Sequence, residues 1–125
     1  MPSEIEKLSD LQYLILFENQ ISGQIPSQLG KLDKLVNLDF YSNSLEGEIP
    51  EELYDLSNLI LLHCGKNDLN GTISEQIRNM GQLQVLYLFQ NELSGSIPES
   101  ISDLNSTLGM SLCIIFSNAS TQLLN

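Results

Sequence analysis

Apolar side chains recur along the chain in one pattern that repeats every 24 residues. The first unit places leucine or isoleucine at positions 8, 11, 14, 16, 21, 25 and 29, with Asn19, Gly23 and Pro26 between them. The following units repeat this spacing without insertion; all four prolines lie on the same period, and Ser74 takes the remaining place in that series. A period of roughly 20 to 50 residues indicates a solenoid, in which each coil buries its apolar side only against neighbouring coils.

Within each unit the pattern predicts a short strand followed by a turn. Apolar and polar residues alternate around Leu38 and Phe40, which is typical of a strand with one buried face, and stacked coils would pair these strands in a parallel sheet. We expect a buried asparagine amide to bond the turn backbone, at Asn19, Asn43, Asn67 and Asn91. We expect a bend with positive φ at Gly23, Gly47, Gly71 and Gly95.

The second half of each unit predicts a helical turn. Proline stands where the first position of a helix is expected, as in Ile49-Pro50-Glu51-Glu52-Leu53, and carboxylates follow it in the first turn. These segments are too short for long helices. They therefore predict single turns or 3₁₀ pieces on the convex side.

These residues together resemble a known family. The run Leu83-x-x-Leu86-x-Leu88-x-x-Asn91-x-Leu93-x-Gly95-x-Ile97-Pro98 resembles the plant-type leucine-rich repeat, and the resemblance covers residues 1 to 104. It implies an α/β solenoid, or horseshoe, with a parallel β-sheet on the concave face and short 3₁₀ or helical turns on the convex side. Members of this family include ectodomains of plant receptor kinases, polygalacturonase-inhibiting proteins and scaffolds, so the resemblance implies non-enzymatic recognition of a protein or peptide.

Alignment of the repeat units predicts two parts of the chain. Pro2 aligns with Pro26, so residues 1–104 are expected to form a solenoid that starts in the middle of a repeat, as in a fragment with an uncovered first coil. Residues 105–125 depart from the 24-residue spacing. We interpret them as a degenerate last repeat or a C-terminal tail, with a decayed coil, a makeshift cap and a truncated gene model left as alternatives.

The composition of the chain limits the classes of partner and ligand that are expected. Sixteen acidic and five basic side chains give a net charge of -11, and no Lys or Arg follows Arg78, so a phosphate backbone would be repelled. Nucleic acid is therefore not expected as a partner, and an acidic solvated surface is favoured over a cationic ligand. Cys64 and Cys113 are too few and too far apart for a disulfide framework or a metal cluster, so no metal or cofactor is expected.

Catalytic patterns are not expected to be present. His63 is the one histidine, and its neighbour Cys64 is predicted to point to the opposite face of the strand, so the two cannot act as base and nucleophile. The chain has no phosphate-binding loop, and its acidic cluster around Glu48 lacks the loop geometry of a calcium site. We therefore predict a non-enzymatic chain with no small-molecule substrate.

Location is predicted from the family resemblance, which implies an extracellular or cell-surface protein. Residues 1–7 lack the features of a secretory signal, and the longest apolar run after Arg78, at positions 112–116, is too short to span a membrane. An intracellular or organellar scaffold, or a subunit of a larger complex, is therefore the alternative. Glycosylation sequons begin at Asn70, Asn105 and Asn118, and glycan on Asn70 would favour the extracellular interpretation.

The residues that escape the repeat lie on the predicted exposed face of the sheet. Five of the eight Phe and Tyr residues belong to this set, and Phe17, Tyr41 and Phe89 share one column that is interrupted by Gly65. The predicted partner-binding residues are Tyr13, Ile15, Phe17, Glu18, Asn37, Asp39, Tyr41, Leu61, His63, Lys66, Val85, Tyr87, Phe89 and Gln90. Aromatic residues also suit β-structure in general, but an apolar surface of this extent favours a protein-binding face.

Overall fold

The computed structural model of the chain describes residues 1–104, 112–115 and 121–124. Within these residues the strands are β1 (Tyr13–Ile15), β2 (Ser22–Gln24), β3 (Asn37–Asp39), β4 (Ser44–Glu48), β5 (Leu61–His63), β6 (Asp68–Asn70), β7 (Val85–Tyr87), β8 (Leu112–Ile115) and β9 (Thr121–Leu124). The same residues form 3₁₀ helices at Ser3–Lys7, Ser27–Lys31, Glu51–Asp55 and Glu75–Asn79, and a short α-helix, α1, at Ile101–Leu104. The coils that begin at β1, β3 and β5 thus contain the predicted strand and the predicted 3₁₀ helix, with a second short strand between them.

The main sheet runs in the order β1-β3-β5-β7-β8-β9. Its first four strands pair in parallel and place Leu14, Leu38, Leu62 and Leu86 in one row. This confirms the leucine-rich-repeat solenoid with a parallel sheet on the concave face. Strand β8 also pairs in parallel, with Cys113 opposite Tyr87, and β9 is antiparallel to β8. The division at residue 104, where α1 ends, stays a prediction.

A second, smaller sheet lies after the turns and was not predicted. It runs in the order β2-β4-β6, and its strands are parallel. The expected positive φ is confirmed at Gly23, Gly47, Gly71 and Gly95, with values of 81°, 78°, 78° and 76°. The sequence suggested only a bend here, because short polar segments containing glycine resemble turns; stacking against the adjacent coil adds the hydrogen bonds that make them strands.

The core is a column of apolar side chains enclosed by the coils. Leu29, Leu32, Leu35, Leu38 and Phe40 of one coil are all 0% exposed, and the equivalent positions of the next coils are equally buried. Cys64 is part of this core, as predicted, and burial raises the pKa of its thiol to about 12. Cys64 is therefore a neutral packing residue.

The repeated asparagines hold adjacent coils together. The Asn67 amide Nδ2 donates to Phe40 O of the preceding coil at 3.0 Å and to Cys64 O of its own coil at 3.1 Å. Its Oδ1 accepts the Leu45 N–H at 3.0 Å. Asn43 and Asn91 make the equivalent bonds. The predicted hydrogen-bonding role of the amides is thus confirmed for these three, of which Asn67 and Asn91 are buried and Asn43 is half-buried, since each satisfies backbone groups that the turns leave unpaired.

The prolines lie one position earlier than predicted. Pro2, Pro26 and Pro50 are extended, with ψ between 132° and 143°, and each 3₁₀ helix begins at the following residue. Their carbonyls accept the first helical hydrogen bond, as Pro26 O does from Leu29 N at 3.1 Å. Extended ψ orients that carbonyl for capping, which explains the offset.

Ser74, in the series otherwise filled by prolines, has a specific partner. Its N–H, which proline lacks, donates to the hydroxyl of the buried Tyr54 at 3.2 Å. Its Oγ accepts the Gln76 N–H at 3.1 Å and so caps the 3₁₀ helix. Burial raises the pKa of Tyr54 to about 12. A neutral buried hydroxyl needs a hydrogen-bond partner, and Ser74 supplies it.

Candidate ligand-binding face

Strand register arranges the predicted binding residues in columns across the sheet. Tyr13, Asn37, Leu61 and Val85 form the first column, and Ile15, Asp39, His63 and Tyr87 form the second. The third position, just after each strand, holds Phe17, Tyr41, Gly65 and Phe89. The fourth holds Glu18, Ser42, Lys66 and Gln90, which all adopt left-handed φ between 52° and 57°. The left-handed residues turn the chain away from the sheet and end each strand.

Four rings from three strands pack into one unit, which we call the aromatic cluster: Tyr41, His63, Tyr87 and Phe89. The His63 ring stacks on Tyr41, with centroids 4.8 Å apart and planes at 21°, and meets Tyr87 edge-on at 4.9 Å. The Phe89 ring lies 5.5 Å from His63 and 6.0 Å from Tyr41. His63 is therefore the centre of the cluster, and these geometries are those preferred by aromatic pairs.

Gly65 makes room for this packing. A Cβ atom at position 65 would lie 2.9 Å from Phe89 Cζ and 3.1 Å from His63 Nε2, closer than side-chain carbons approach one another. The Phe89 ring thus covers the gap that Gly65 leaves in its column and contacts Tyr41 from the far side. The interruption noted in the sequence is what allows the aromatic column to close.

Asp39 joins the cluster to the backbone. Its Oδ1 accepts the Tyr41 N–H at 2.9 Å and lies 3.5 Å from His63 Nδ1. Both side chains are mostly buried, with 18% and 17% of their surface exposed. Burial lowers the pKa of His63, and the attraction of the Asp39 carboxylate opposes this only in part. His63 is therefore neutral at neutral pH.

The remaining predicted residues lie around the cluster. Tyr13, Ile15 and Phe17 of the first coil are 58%, 44% and 48% exposed and form an open apolar patch, the first-coil patch. Asn37, Leu61 and Val85 are half-buried in the first column, while Glu18, Lys66 and Gln90 are exposed beyond the strand ends. The face thus combines a packed aromatic centre with an open apolar side and a polar edge.

Tyr41, Tyr87 and Phe89 were predicted to project from the exposed face of the sheet, but their packing against one another could not be seen in the sequence. They are half-buried because they pack on His63 and on one another. The pairing of Asp39 with His63 was also missed. The 24-residue spacing of those two positions was the available signal, because it places them side by side in adjacent strands.

The described residues also bear on metal binding, membrane crossing and the predicted glycosylation sites. Within residues 1–104, 112–115 and 121–124, no three His, Cys, Asp or Glu side chains are grouped as a metal site would require. No helix in this part of the chain has the length and apolar character needed to cross a membrane. Asn70 is exposed at the end of β6, in the smaller sheet, whereas Asn105 and Asn118 lie outside the described residues.

Comparison with known proteins gives a family and a set of similar structures. Residues 2–119 match the family model described as a leucine-rich repeat region. A comparison with curated protein sequences gives no match.

Solved structures with this fold include plant receptor ectodomains. The ectodomain of GASSHO1/SCHENGEN3 from Arabidopsis thaliana, solved with CASPARIAN STRIP INTEGRITY FACTOR 2, is 38% identical over 94% of this chain, with a TM-score of 0.87. The Arabidopsis receptor kinase HAESA, solved with the peptide hormone IDA and the co-receptor SERK1, is 34% identical over 90%, with a TM-score of 0.82. The chain spans 14% and 20% of the length of these two structures.

A third similar structure shows that the fold serves other roles. A plant ice-binding protein is 32% identical over 93% of this chain, which spans 36% of it, with a TM-score of 0.82. Function must therefore be argued from the surface that this chain presents.

Proposed function

The chain belongs to the leucine-rich repeat family, and from that premise we propose that it recognises a peptide or protein segment through the concave face of its main sheet. The observation that carries the proposal is the presence of the first-coil patch and the aromatic cluster on the same face of adjacent strands. Aromatic anchors of this kind contribute most of the energy in protein interfaces.

The polar surroundings support the same role. Glu18, Lys66 and Gln90 border the apolar surface and are exposed, which gives the rim of hydrogen-bonding and charged groups that a specific interface needs. The described concave residues offer packing and hydrogen bonding, and they include no base positioned beside a nucleophile. The proposed role is therefore non-enzymatic recognition, of the receptor-ectodomain or inhibitor type.

We also propose an extracellular or cell-surface location. Similar structures are ectodomains of plant membrane receptors, among them the receptor kinase SOBIR1. Asn70 is exposed on the smaller sheet, where a glycan would leave the concave face free. A scaffold role inside the cell remains the alternative, and a partner that binds the convex surface would favour it.

The test uses peptides selected from a displayed library against the whole chain. Affinities of the selected peptides are then measured for a concave double variant, Ile15→Ser with Phe17→Ser. These two side chains are exposed, so folding should be preserved. Removing exposed apolar anchors from an interface typically costs about 2 kcal/mol or more, so the variant should bind roughly thirtyfold more weakly.

The matched control changes the opposite surface. Glu52→Lys with Glu99→Lys alters two exposed carboxylates near the 3₁₀ helices and should leave affinity within about twofold. Loss of binding in the convex variant alone would contradict the concave assignment. Failure of the library to yield any peptide that competes at the concave face would also count against it.

A further inference from the structure

The two ring nitrogens of His63 have different surroundings. Nδ1 lies 3.5 Å from Asp39 Oδ1, whereas Nε2 is buried and has no hydrogen-bond partner. Nε2 lies close to Gly65. A Cβ atom added at residue 65 would be 3.1 Å from Nε2 and 2.9 Å from Phe89 Cζ, so the Phe89 ring lies over the same glycine. The imidazole is thus enclosed on the side that faces away from the carboxylate.

This arrangement suits the neutral imidazole. A carboxylate near Nδ1 favours the tautomer that carries its hydrogen there, so Nε2 is left as a neutral, unpaired acceptor. Protonation places a second N–H on Nε2. That group would be a buried donor that carries positive charge and has no acceptor, which costs more than a neutral unpaired acceptor.

The groups facing His63 do not remove this cost. On one side of the ring are Asp39, the last residue of β3, and Tyr41, two residues further on. On the other side are Tyr87, the last residue of β7, and Phe89. On its own side Lys66 is a further cation, three positions along the chain. Asp39 and the ring faces attract an imidazolium, but none of them accepts a hydrogen bond from Nε2. Consistent with this, burial outweighs the carboxylate and lowers the pKa of His63.

The simplest way to satisfy the new donor is to admit water to Nε2. The Phe89 ring lies over Gly65 beside Nε2, and its displacement would admit water there. It packs on the other three rings of the aromatic cluster, but Gly65 offers no side chain beneath it. We propose that protonation of His63 displaces the Phe89 ring and opens the aromatic cluster, so that the concave face changes shape in mild acid. The consequence for ligand affinity rests on the proposed function; the opening itself does not.

The free energy of unfolding should therefore decrease as the pH falls. The folded chain has the lower His63 pKa, so the unfolded chain binds the proton first as the pH falls below about 6.5. The stability contributed by the neutral imidazole is therefore present above that pH and is lost as the pH falls through the folded value.

The experiment is an NMR titration of the whole chain from pH 8 to pH 4. His63 is the single histidine, so its ring signals are identified directly. The Phe89 signals are distinguished from those of the other three phenylalanines by comparison with a Phe89→Leu spectrum. The His63 midpoint should lie below about 6.5, and the Phe89 ring signals should move toward unfolded-peptide positions with the same midpoint. The amide signal of the core residue Leu38 should stay in place, showing that the coils remain folded.

Two variants provide matched controls. His63→Gln cannot gain charge, so its Phe89 signals should not change over this range. Asp39→Asn keeps an Oδ1 acceptor for the Tyr41 N–H but removes the charge that favours imidazolium, so the His63 midpoint should fall further.

Three results would overturn the proposal. They are Phe89 signals that do not move with the His63 midpoint, Phe89 shifts that persist in His63→Gln, and loss of the Leu38 signal at the same midpoint. Because no ligand is needed, failure of the proposed recognition role would leave these ring measurements unchanged. If the cluster opens in acid but peptide binding is retained, the opening is supported and its expected effect on ligand affinity is contradicted.

Discussion

At the scale of single residues, identical side chains in the repeat have different roles because their neighbours differ. Asn67 is buried and bonds two coils, whereas Asn19 is exposed and donates only to Leu16 O and Phe17 O of its own coil. In the sequence the two positions have the same residue type and the same place in the repeat. The difference lies in the bonds that each amide makes: Asn67 reaches Phe40 O and Leu45 N–H of the preceding coil, whereas the described Asn19 bonds stay within its own coil.

This contrast supplies a stability test with an internal control. Replacing Asn67 by Leu should lower the free energy of unfolding by about 1 to 3 kcal/mol, because Leu45 N–H and Phe40 O lose their partner in a buried site. Asn19→Leu should change it by less than about 0.5 kcal/mol, since water can replace its exposed bonds. Urea denaturation of both variants gives the comparison. Equal midpoints for the two would contradict the cross-coil role of the amide.

At the scale of elements, the convex side depends on how closely successive 3₁₀ helices approach. Gly30, in the 3₁₀ helix Ser27–Lys31, lies against the next one: a Cβ at this position would be 2.3 Å from the Glu52 carbonyl oxygen. That neighbour is backbone and cannot rotate away. The equivalent position of the next coil holds Tyr54, whose ring fills the core, so the repeat tolerates very different side chains here.

Gly30→Ala is therefore expected to be destabilising by about 1 to 3 kcal/mol, because one added methyl forces the two helices apart. Gly81→Ala is the control. No atom lies within 4 Å of a Cβ at that position, so the change should be neutral or stabilising by up to about 1 kcal/mol. Thermal unfolding of the two variants measures the difference. Similar melting temperatures would show that the convex helices can separate without cost.

At the scale of the whole molecule, burial increases from the first coil to the second. Leu8 is 52% exposed, whereas Leu32 and Leu56, at the same repeat position, are 0% exposed. Strand β1 is also an edge of the main sheet. Each coil of a solenoid is stabilised mainly by its interfaces, so the first coil is the least stable part of residues 1–104.

Covering the first coil should therefore stabilise the chain. A designed leucine-rich coil with a polar outer face, added before Met1, should raise the unfolding midpoint and suppress self-association at high concentration. A flexible Gly/Ser extension of equal length is the control and should do neither. Sedimentation velocity and denaturation provide the measurements. An unextended chain that stays monomeric at high concentration would show that its first coil needs no cover.

Much of this protein follows from its sequence. The 24-residue period, with leucine, asparagine, glycine and proline at fixed places, determined the coil, the parallel register and the buried face, because each of those residue types has a local physical requirement. The exposed columns could likewise be predicted, since side chains alternate between the two faces of a strand.

Only the tertiary structure decided how those columns work together. The aromatic cluster depends on the Phe89 ring crossing above Gly65 and on Asp39 facing His63 from the neighbouring strand. The smaller sheet likewise forms only when a second coil supplies its hydrogen bonds. Such contacts join residues about one repeat apart or more and depend on ring orientation and packing distance. Local pattern does not encode these, so the stacked coils are needed to see them.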